Sequence, residues 1–201
     1  MRWIDPLMNY LDLDYRISLL RAAAFHGASH QASMIFQVIV PKQLRALEIG
    51  RHRIQLIYQS PAAFAEVNQS YWLDEIKSEA GFAKTAGIEL TLLDSMRYFH
   101  DAGGINGVAQ IVYDLGAHAN PRKLAIIAVY YENSVARRLG YLLERFDYNQ
   151  QASLLEPIAK KAKSLKYLDP SSKPILESLA SSYERDAKWM LLINEPVEID
   201  F

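Results

Sequence analysis

The stretch from Tyr15 to Pro41 has the most distinctive pattern of apolar and polar positions in the chain. Its first half is apolar almost all round, with leucine and alanine at most positions, and this pattern predicts a buried helix that ends at Gly27. A short polar connection follows over residues 29–33. The run 34–40 is rich in β-branched and aromatic residues, so it predicts a central strand that packs against the helix.

Further strands are predicted between residues 50 and 85. Residues 42–49 form a polar bridge, Gly50 marks a turn, and the alternation over 53–58 predicts a second strand. The turn signal Ala80-Gly81 predicts a hairpin over 73–84. Because both hairpin strands are polar on one side, we expect the hairpin at an edge of the sheet.

From Ile88 onward the apolar positions recur every three or four residues, which predicts helices. The first should end at the Gly103-Gly104 pair, and four more are expected over 106–117, 122–131, 132–146 and 151–166. Asn120 and Pro121 form a typical helix start, and the short connections predict antiparallel neighbours. At the amino terminus, Asp5 is predicted to cap a short helix after Pro6.

The tail returns to strand character over 188–194 and 197–201, and we expect the C-terminal strand to pair with the early sheet. The predicted fold class is therefore α+β: a small mixed β-sheet packed against a buried N-terminal helix and a helical array, closed by a C-terminal strand. We expect a single domain over 1–201. Its sheet-bearing part is 1–120, its basic helical array is 121–166 and its C-terminal strand region is 167–201.

Composition narrows the class of protein. Hydrophobic residues make up 50% and charged residues 22%, as in ordinary globular proteins. The chain has no cysteine, which excludes disulfides, thiolate nucleophiles and cysteine-ligated metals. No apolar run has the length of a membrane span, and the start is too acidic for a signal peptide, so we expect a cytoplasmic protein with no membrane partner.

Charge is unevenly distributed although the net charge is only −1. Residues 1–120 carry −2, residues 121–166 carry +5 and residues 167–201 carry −4. Such a basic block fits contact with nucleic acid or an acidic partner, and a solvated helix face gives the same count. The candidate nucleic-acid or partner contacts are Arg51, Arg53, Arg137, Arg138, Lys160, Lys161 and Lys163.

Arg137 and Arg138 differ from the lysine candidates because they are adjacent in the middle of one predicted helix and not near its end. Neighbouring helical side chains point about 100° apart. We therefore expect one arginine to be internal and paired with Glu144 or Glu132, and the other to face solvent or a ligand. The lysines after residue 159 lie near a helix end, where the helix dipole alone favours cations.

No motif indicates a catalytic or metal site. The sequence has no G-x-S-x-G and no phosphate-binding glycine pattern, and Gly27 breaks the helical spacing between His26 and His30. Glu75 and Lys77 share a strand face, as in some metal-dependent nucleases, but we expect an edge-strand salt bridge rather than a nuclease site. We expect no catalytic residues, no cofactor and no metal.

Several motifs in order along the chain resemble one known family. The similarity is to the C-terminal module of AbiEi-family antitoxins, and it extends over nearly the whole chain. The motifs that carry it are Tyr15, Leu19-Leu20, Ala22-Ala23-Ala24, His26-Gly27, Gln37-Val38, Gly103-Gly104, the run RLGYLLE at 138–144, Trp189, Asn194 and Glu198.

The resemblance implies an antitoxin of an abortive-infection, phage-defence toxin–antitoxin system. Such antitoxins counteract a nucleotidyltransferase-like toxin, often without a stable complex, and use an N-terminal winged helix for DNA-binding transcriptional regulation. The sequence leaves no room for that element before Tyr15, so we expect antitoxic activity, with at most assistance to autoregulation.

Two alternatives to the antitoxin role stay open. One is a nucleic-acid-binding regulatory module that uses the basic residues, and the other is a nuclease-like enzyme that uses Glu75 and Lys77. The edge hairpin and the 12 tyrosines also leave room for a homodimer.

Overall fold

The computed structural model describes residues 3–28, 35–50, 52–78, 81–172 and 182–199, with only the backbone described for His52 and Ser78. The chain divides into two compact units, Met1–Thr91 and Leu92–Phe201. The first contains a six-stranded mixed sheet, and the second contains a helical array and a three-stranded sheet. The predicted α+β class is confirmed. No helix in the described ranges has the length and hydropathy needed to cross a membrane.

The first unit is built around its mixed sheet, whose strand order is β3-β4-β2-β1-β6-β5. Strand β2 pairs in parallel with β4 and antiparallel with β1. The predicted hairpin is confirmed, and its strand β5 lies at the sheet edge. The elements are α1 (Ile4–Tyr10), β1 (Arg16–Ile17), α2 (Leu19–Phe25), β2 (Ile35–Val40), β3 (Leu47–Ile49), β4 (His52–Tyr58), α3 (Pro61–Val67), β5 (Leu73–Ser78) and β6 (Gly81–Ala86).

Three local predictions in this unit were wrong. Asp5 lies in the first turn of α1, whose N-cap is Trp3. Arg16 and Ile17 pair with β2, so the chain is extended there and the buried helix begins only at Leu19. The polar bridge contains the short strand β3, which Leu47 and its neighbours form by pairing with β4.

Helix α2 and strand β2 form the predicted core pair. The helix buries two leucines and two alanines, and it ends where Gly27 adopts a φ of +97° that favours glycine. A buried amide joins the two elements: Gln37 Oε1 accepts a hydrogen bond from the Leu20 amide at 3.1 Å. Gln37 Nε2 donates to Gln55 Oε1 on β4 at 3.1 Å. The helix start is thereby tied to two central strands.

The boundary between the two units lies within α4 (Ile88–Arg97). The second unit also contains α5 (Gly104–Leu115), α6 (Pro121–Ala128), α7 (Asn133–Arg145) and α8 (Asn149–Ala159). The predicted cap is confirmed, because Asn120 Oδ1 accepts hydrogen bonds from the amides of Arg122 and Lys123. Asn133 Nδ2 donates to the Ile158 carbonyl at 2.5 Å. The first turn of α7 thus meets the last turn of α8, so the two helices run antiparallel as predicted.

The second sheet corrects the prediction for the tail. It consists of β7 (Lys166–Tyr167), β8 (Glu184–Asp186) and β9 (Leu191–Ile193), in the order β7-β9-β8. The C-terminal strand β9 therefore does not pair with the first sheet. The physical reason is the fully buried Trp189 in the turn before β9. Its ring packs directly against Gly140 and so keeps this turn in contact with α7. Helix α8 ends at Ala159 and Lys166 pairs with Leu191 in this sheet, so the prediction that the helix extends to residue 166 was wrong.

Candidate partner surface

The basic residues predicted as contacts fall into separate parts of the chain. Arg51 lies outside the described residues. Arg53 is exposed on β4 in the first unit, beside Glu48 of β3. Three more are exposed just after α8 in the second unit, and the remaining two are buried in α7. The exposed three are Lys160, Lys161 and Lys163, and the buried two are Arg137 and Arg138.

Arg137 anchors the second sheet to α7. Its side chain is only 2% exposed, and its guanidinium donates hydrogen bonds to three backbone carbonyls. Nε reaches the Trp189 carbonyl at 2.7 Å, and Nη2 reaches the carbonyls of Ser164 (3.0 Å) and Met190. Burial lowers the pKa of Arg137 below the usual value for arginine. A group enclosed in this way stabilises the fold and has almost no surface to offer a partner.

Arg138 has the same kind of role. It is 8% exposed, and its Nε donates to the Tyr167 carbonyl on β7 at 3.0 Å. Burial and the neighbouring charge of Arg137 lower its pKa, and Asp169 acts in the opposite direction. The expectation that one of the two arginines faces solvent was therefore wrong. Backbone carbonyls, which carry no sequence signature, take the place of the expected carboxylate partner.

The two carboxylates predicted to pair with these arginines have other partners. Glu132 forms an ion pair with Arg97. Glu144 accepts hydrogen bonds from Lys188 Nζ at 2.7 Å and from the Trp189 indole at 2.6 Å. Lys188 also lies 2.9 Å from a carboxylate oxygen of Glu156. These contacts connect the turn before β9 to α7 and α8.

The Glu144 contacts predict a pH dependence of stability. Burial raises the pKa of Glu144, but the hydrogen bonds from Lys188 and Trp189 outweigh it, so the folded-state pKa lies below the usual range. A depressed carboxylate pKa stabilises the fold above the unfolded pKa, and this stabilisation is lost as pH falls through the folded value. Because the side chain is 36% exposed, solvent screening limits the contribution to about 0.5–1 kcal/mol.

We expect Glu144→Gln to remove this contribution at neutral pH and to flatten the decline in stability between about pH 5 and pH 3. Urea denaturation at a series of pH values measures both effects. Glu156→Gln is the matched control on α8, because Lys188 keeps its bond to Glu144 in that variant. Parallel pH profiles for the wild type and Glu144→Gln would show that the ion pair does not act as described.

The exposed lysines lie at one end of three packed helices. Asn133 at the start of α7 bonds to Ile158 near the end of α8, and residues 129–132 connect α6 to that same point. The end of α6, the start of α7 and the end of α8 therefore lie together. Lys160 is 76% exposed on its side chain and lies 3.8 Å from Glu156, whose carboxylate already binds Lys188. Positive charge thus predominates in the last turn of α8 and the segment after it.

Apolar side chains are exposed at the same end. Ile126 is 58% exposed, Val129 is 61% exposed and Tyr130 is 42% exposed. They follow helical spacing around the end of α6, on the side away from the buried Leu124 and Ile127. Sequence reasoning missed them because every residue of this helix end is apolar, so the pattern does not distinguish a core face from an exposed face.

We call this surface the basic end of the second unit. It combines an apolar and aromatic patch with cationic side chains, and this combination is typical of protein interfaces with a hydrophobic centre and a charged rim. Its members are Ile126, Val129, Tyr130, Lys160, Lys161 and Lys163.

The other motifs singled out in the sequence are the two histidines and the Glu75–Lys77 pair. His26 is the C-cap of α2, and its Nε2 lies 2.7 Å from the Ala86 carbonyl and 3.9 Å from Asp74. His30 lies outside the described residues. Glu75 and Lys77 are exposed on the edge strand β5, and the salt bridge expected there was wrong, because neither forms an ion pair within the described residues. Across the part of the chain that the structure describes, no cluster of three or more histidine and acidic side chains could hold a metal ion.

Comparison with known proteins places these features in a family context. The family model for the AbiEi antitoxin C-terminal domain matches residues 16–145, from β1 to the end of α7. The crystal structure of the RV2827C protein from Mycobacterium tuberculosis has a similar fold, with a TM-score of 0.54 at 14% sequence identity. The similarity covers 89% of this chain and 61% of that chain, so this chain spans about six tenths of that protein. No curated protein matches the sequence.

Proposed function

Since the chain belongs to the AbiEi antitoxin C-terminal domain family, we propose that it acts as the antitoxin of a bacterial toxin–antitoxin system. The observation that carries the proposal is the family match, which spans 130 of the 201 residues from position 16 to position 145. The finer part of the proposal is that the toxin is a nucleotidyltransferase-like protein. This follows the resemblance of the motifs around Tyr15 and in the RLGYLLE run.

The basic end is the surface that we assign to the toxin. Support comes from the exposed side chains of Val129 and Tyr130 and from three exposed lysines at the same end of the helices, because apolar area provides binding energy and charge steers the approach. Ile126, Val129 and Tyr130 lie within the matched family span, and the lysines lie after it. A toxin face with an apolar centre and an acidic rim has the complementary chemistry.

Arg53 is a separate candidate contact on the first unit. It is exposed on β4, and its backbone pairs with Glu48 on one side and Ile35 on the other. We keep Arg53 as a second contact position, either for the toxin or for operator DNA. Contact with operator DNA would let the chain assist transcriptional autoregulation. Arg137 and Arg138 are left out of the proposed contact because both are buried and bonded to backbone carbonyls.

The proposal predicts that reversing the charge of the basic end weakens antitoxin action. We expect Lys160→Glu/Lys161→Glu/Lys163→Glu to raise the antitoxin concentration needed for half-inhibition of the toxin by at least about tenfold, because the rim then repels acidic residues. The measurement is nucleotide transfer by the purified cognate toxin, titrated with each purified antitoxin variant. Unfolding curves should match the wild type, since all three lysines are exposed.

The matched control places the same change of charge elsewhere on the second unit. Arg122→Glu/Arg145→Glu/Arg185→Glu alters three exposed positions, and Arg122 and Arg145 lie at the opposite end of α6 and α7. Equal inhibition by both triple variants and the wild type would exclude the basic end as the contact. No inhibition by the wild type, with an active toxin, would contradict direct neutralisation.

Nucleic-acid binding by the same lysines is the alternative. In that case the affinity for DNA or RNA would fall steeply with salt, because each neutralised phosphate releases counterions. A salt titration of duplex binding by the wild type and the lysine variant separates this function from contact with a protein. A steep slope that the three substitutions reduce would favour the regulatory module over the toxin contact.

A further inference from the structure

The edge strand β5 carries a charge pattern that the antitoxin role does not use. It forms one side of the β5–β6 hairpin, and no other strand in the described residues pairs with its outer side. Asp74, Glu75 and Lys77 are exposed on it. Glu75 lies opposite Lys84 within the hairpin, but Lys84 bonds to Asp14 at 2.6 Å. Within the described ranges, neither Glu75 nor Lys77 forms an ion pair.

The pattern is complementary to itself. When an antiparallel strand pairs with a symmetry-related copy, the two-fold axis perpendicular to the sheet passes midway between the two copies of one residue, because opposite side chains must lie on the same face. If that residue is Ile76, Glu75 of each copy lies directly opposite Lys77 of the other, so two ion pairs form. Asp74 then lies opposite Ser78, which is uncharged. The charges fit this register without any change in the hairpin.

Neighbouring registers are disfavoured by the same residues. A register centred on Glu75 places the two Glu75 side chains opposite each other. A register centred on Lys77 does the same for the two Lys77 side chains. Like charges directly opposite on adjacent strands are destabilising. Charged residues on an edge strand usually prevent pairing with other sheets. On β5 they disfavour the two registers next to the one centred on Ile76, which alone brings Glu75 opposite Lys77.

Ile76 adds an apolar contact on the other sheet face. It is half-buried, and it pairs with the fully buried Ala83 on β6, so its side chain lies at the margin of the core. Pairing centred on Ile76 brings the two isoleucines together across the axis and extends that core. The glutamate–lysine pairs lie on the opposite face.

We propose that two copies of this chain associate through antiparallel pairing of their β5 strands, centred on Ile76, to form a continuous twelve-stranded sheet from two six-stranded sheets. The partner at the open edge is a second copy of the chain, because Glu75 and Lys77 lie on either side of Ile76 and each faces the opposite charge when the strand is reversed. The inference is independent of the toxin contact, because β5 belongs to the first unit and the basic end to the second.

Sedimentation equilibrium of the full chain across a wide range of concentrations tests the proposal. We expect the wild type to approach twice the monomer mass at high concentration. Lys77→Glu should raise the dimer dissociation constant by about tenfold or more, because each Glu75 then faces a glutamate. The charge swap Glu75→Lys/Lys77→Glu restores opposite charges and should return the constant close to the wild-type value.

Cross-linking tests the register. The chain has no cysteine, so Ile76→Cys introduces a single thiol that lies opposite its own copy, at a Cα separation within the range of disulfides. Oxidation should give a covalent dimer with this variant and not with Phe82→Cys, which lies one strand inward. A wild type that stays monomeric, or a swap variant that stays as weak as Lys77→Glu, would overturn the proposal.

Discussion

Replacing Arg137 with methionine is expected to destabilise the protein by about 4 kcal/mol, although the residue lies in no active site. The change removes the Arg137 donors to the carbonyls of Trp189 and Ser164, and one of two donors to the Met190 carbonyl, which keeps its bond from the Lys166 amide. Each buried carbonyl left without a hydrogen bond costs about 1–3 kcal/mol. Urea denaturation of the wild type and of Arg137→Met gives the difference in free energy of unfolding.

The size of this effect follows from how the second sheet is held. Strand β9 and the turn before it contact α7 through the Arg137 guanidinium and through Trp189. Lysine at position 137 should not rescue stability, because an ammonium group cannot reproduce the planar fork that reaches three carbonyls. If the second sheet detaches from α7, Trp189 becomes exposed to solvent, and the change in tryptophan fluorescence measures this.

The matched control is Arg145→Met, the same substitution on the same helix at an exposed position. We expect it to change stability by less than about 1 kcal/mol. If Arg137→Met unfolds at the same urea concentration as Arg145→Met, the buried guanidinium contributes little. If Arg137→Met is destabilised as expected, an antitoxin assay with Arg137 variants measures the loss of folded protein and not the loss of a contact with the toxin.

Gly140→Ala is the second change with a large expected effect. A Cβ at this position would lie 2.1 Å from Cζ3 and 2.2 Å from Cη2 of the Trp189 ring. The ring is fully buried and its indole donates to Glu144 at 2.6 Å, so it has little freedom to move away. We expect a loss of about 2–3 kcal/mol, even though alanine has a higher helix propensity by about 1 kcal/mol.

A double-mutant cycle identifies the clash as the cause. Trp189→Ala alone should cost about 3–5 kcal/mol, because it removes the largest fully buried side chain. In that background the ring is absent, so Gly140→Ala should be neutral or stabilising. The free energies of unfolding of the four proteins give the coupling. Additive effects would show that Gly140 is not required by the ring of Trp189.

Local patterns allowed much of the fold to be predicted. The buried helix up to Gly27, the strand ending at Val40, the β5–β6 hairpin and the Asn120 cap all depend on residues close together in sequence. The two-residue strand β1 was missed because its extended conformation comes from pairing with β2, and its own residues suit a helix equally well. Pairing between distant segments leaves no local periodicity.

The candidate site was only partly predictable for a similar reason. The exposure of Lys160, Lys161 and Lys163 agrees with their polar character. Arg137 and Arg138 are as polar as the lysines, but they are buried because their guanidinium groups bond to carbonyls of residues about 30 to 50 positions later. Any residue type supplies a carbonyl, so the sequence contains no sign of the partner. The same argument applies to the exposed Val129 and Tyr130.

Growth of bacteria that express the cognate toxin shows whether the chain acts as an antitoxin through its basic end. The chain is supplied as wild type, as Lys160→Glu/Lys161→Glu/Lys163→Glu, or as the matched triple arginine variant, at equal levels of folded protein. We expect the wild type and the arginine variant to restore growth and the lysine variant to leave it arrested. Growth arrest with the folded wild type, or full rescue by the lysine variant, would contradict an antitoxin that acts through its basic end.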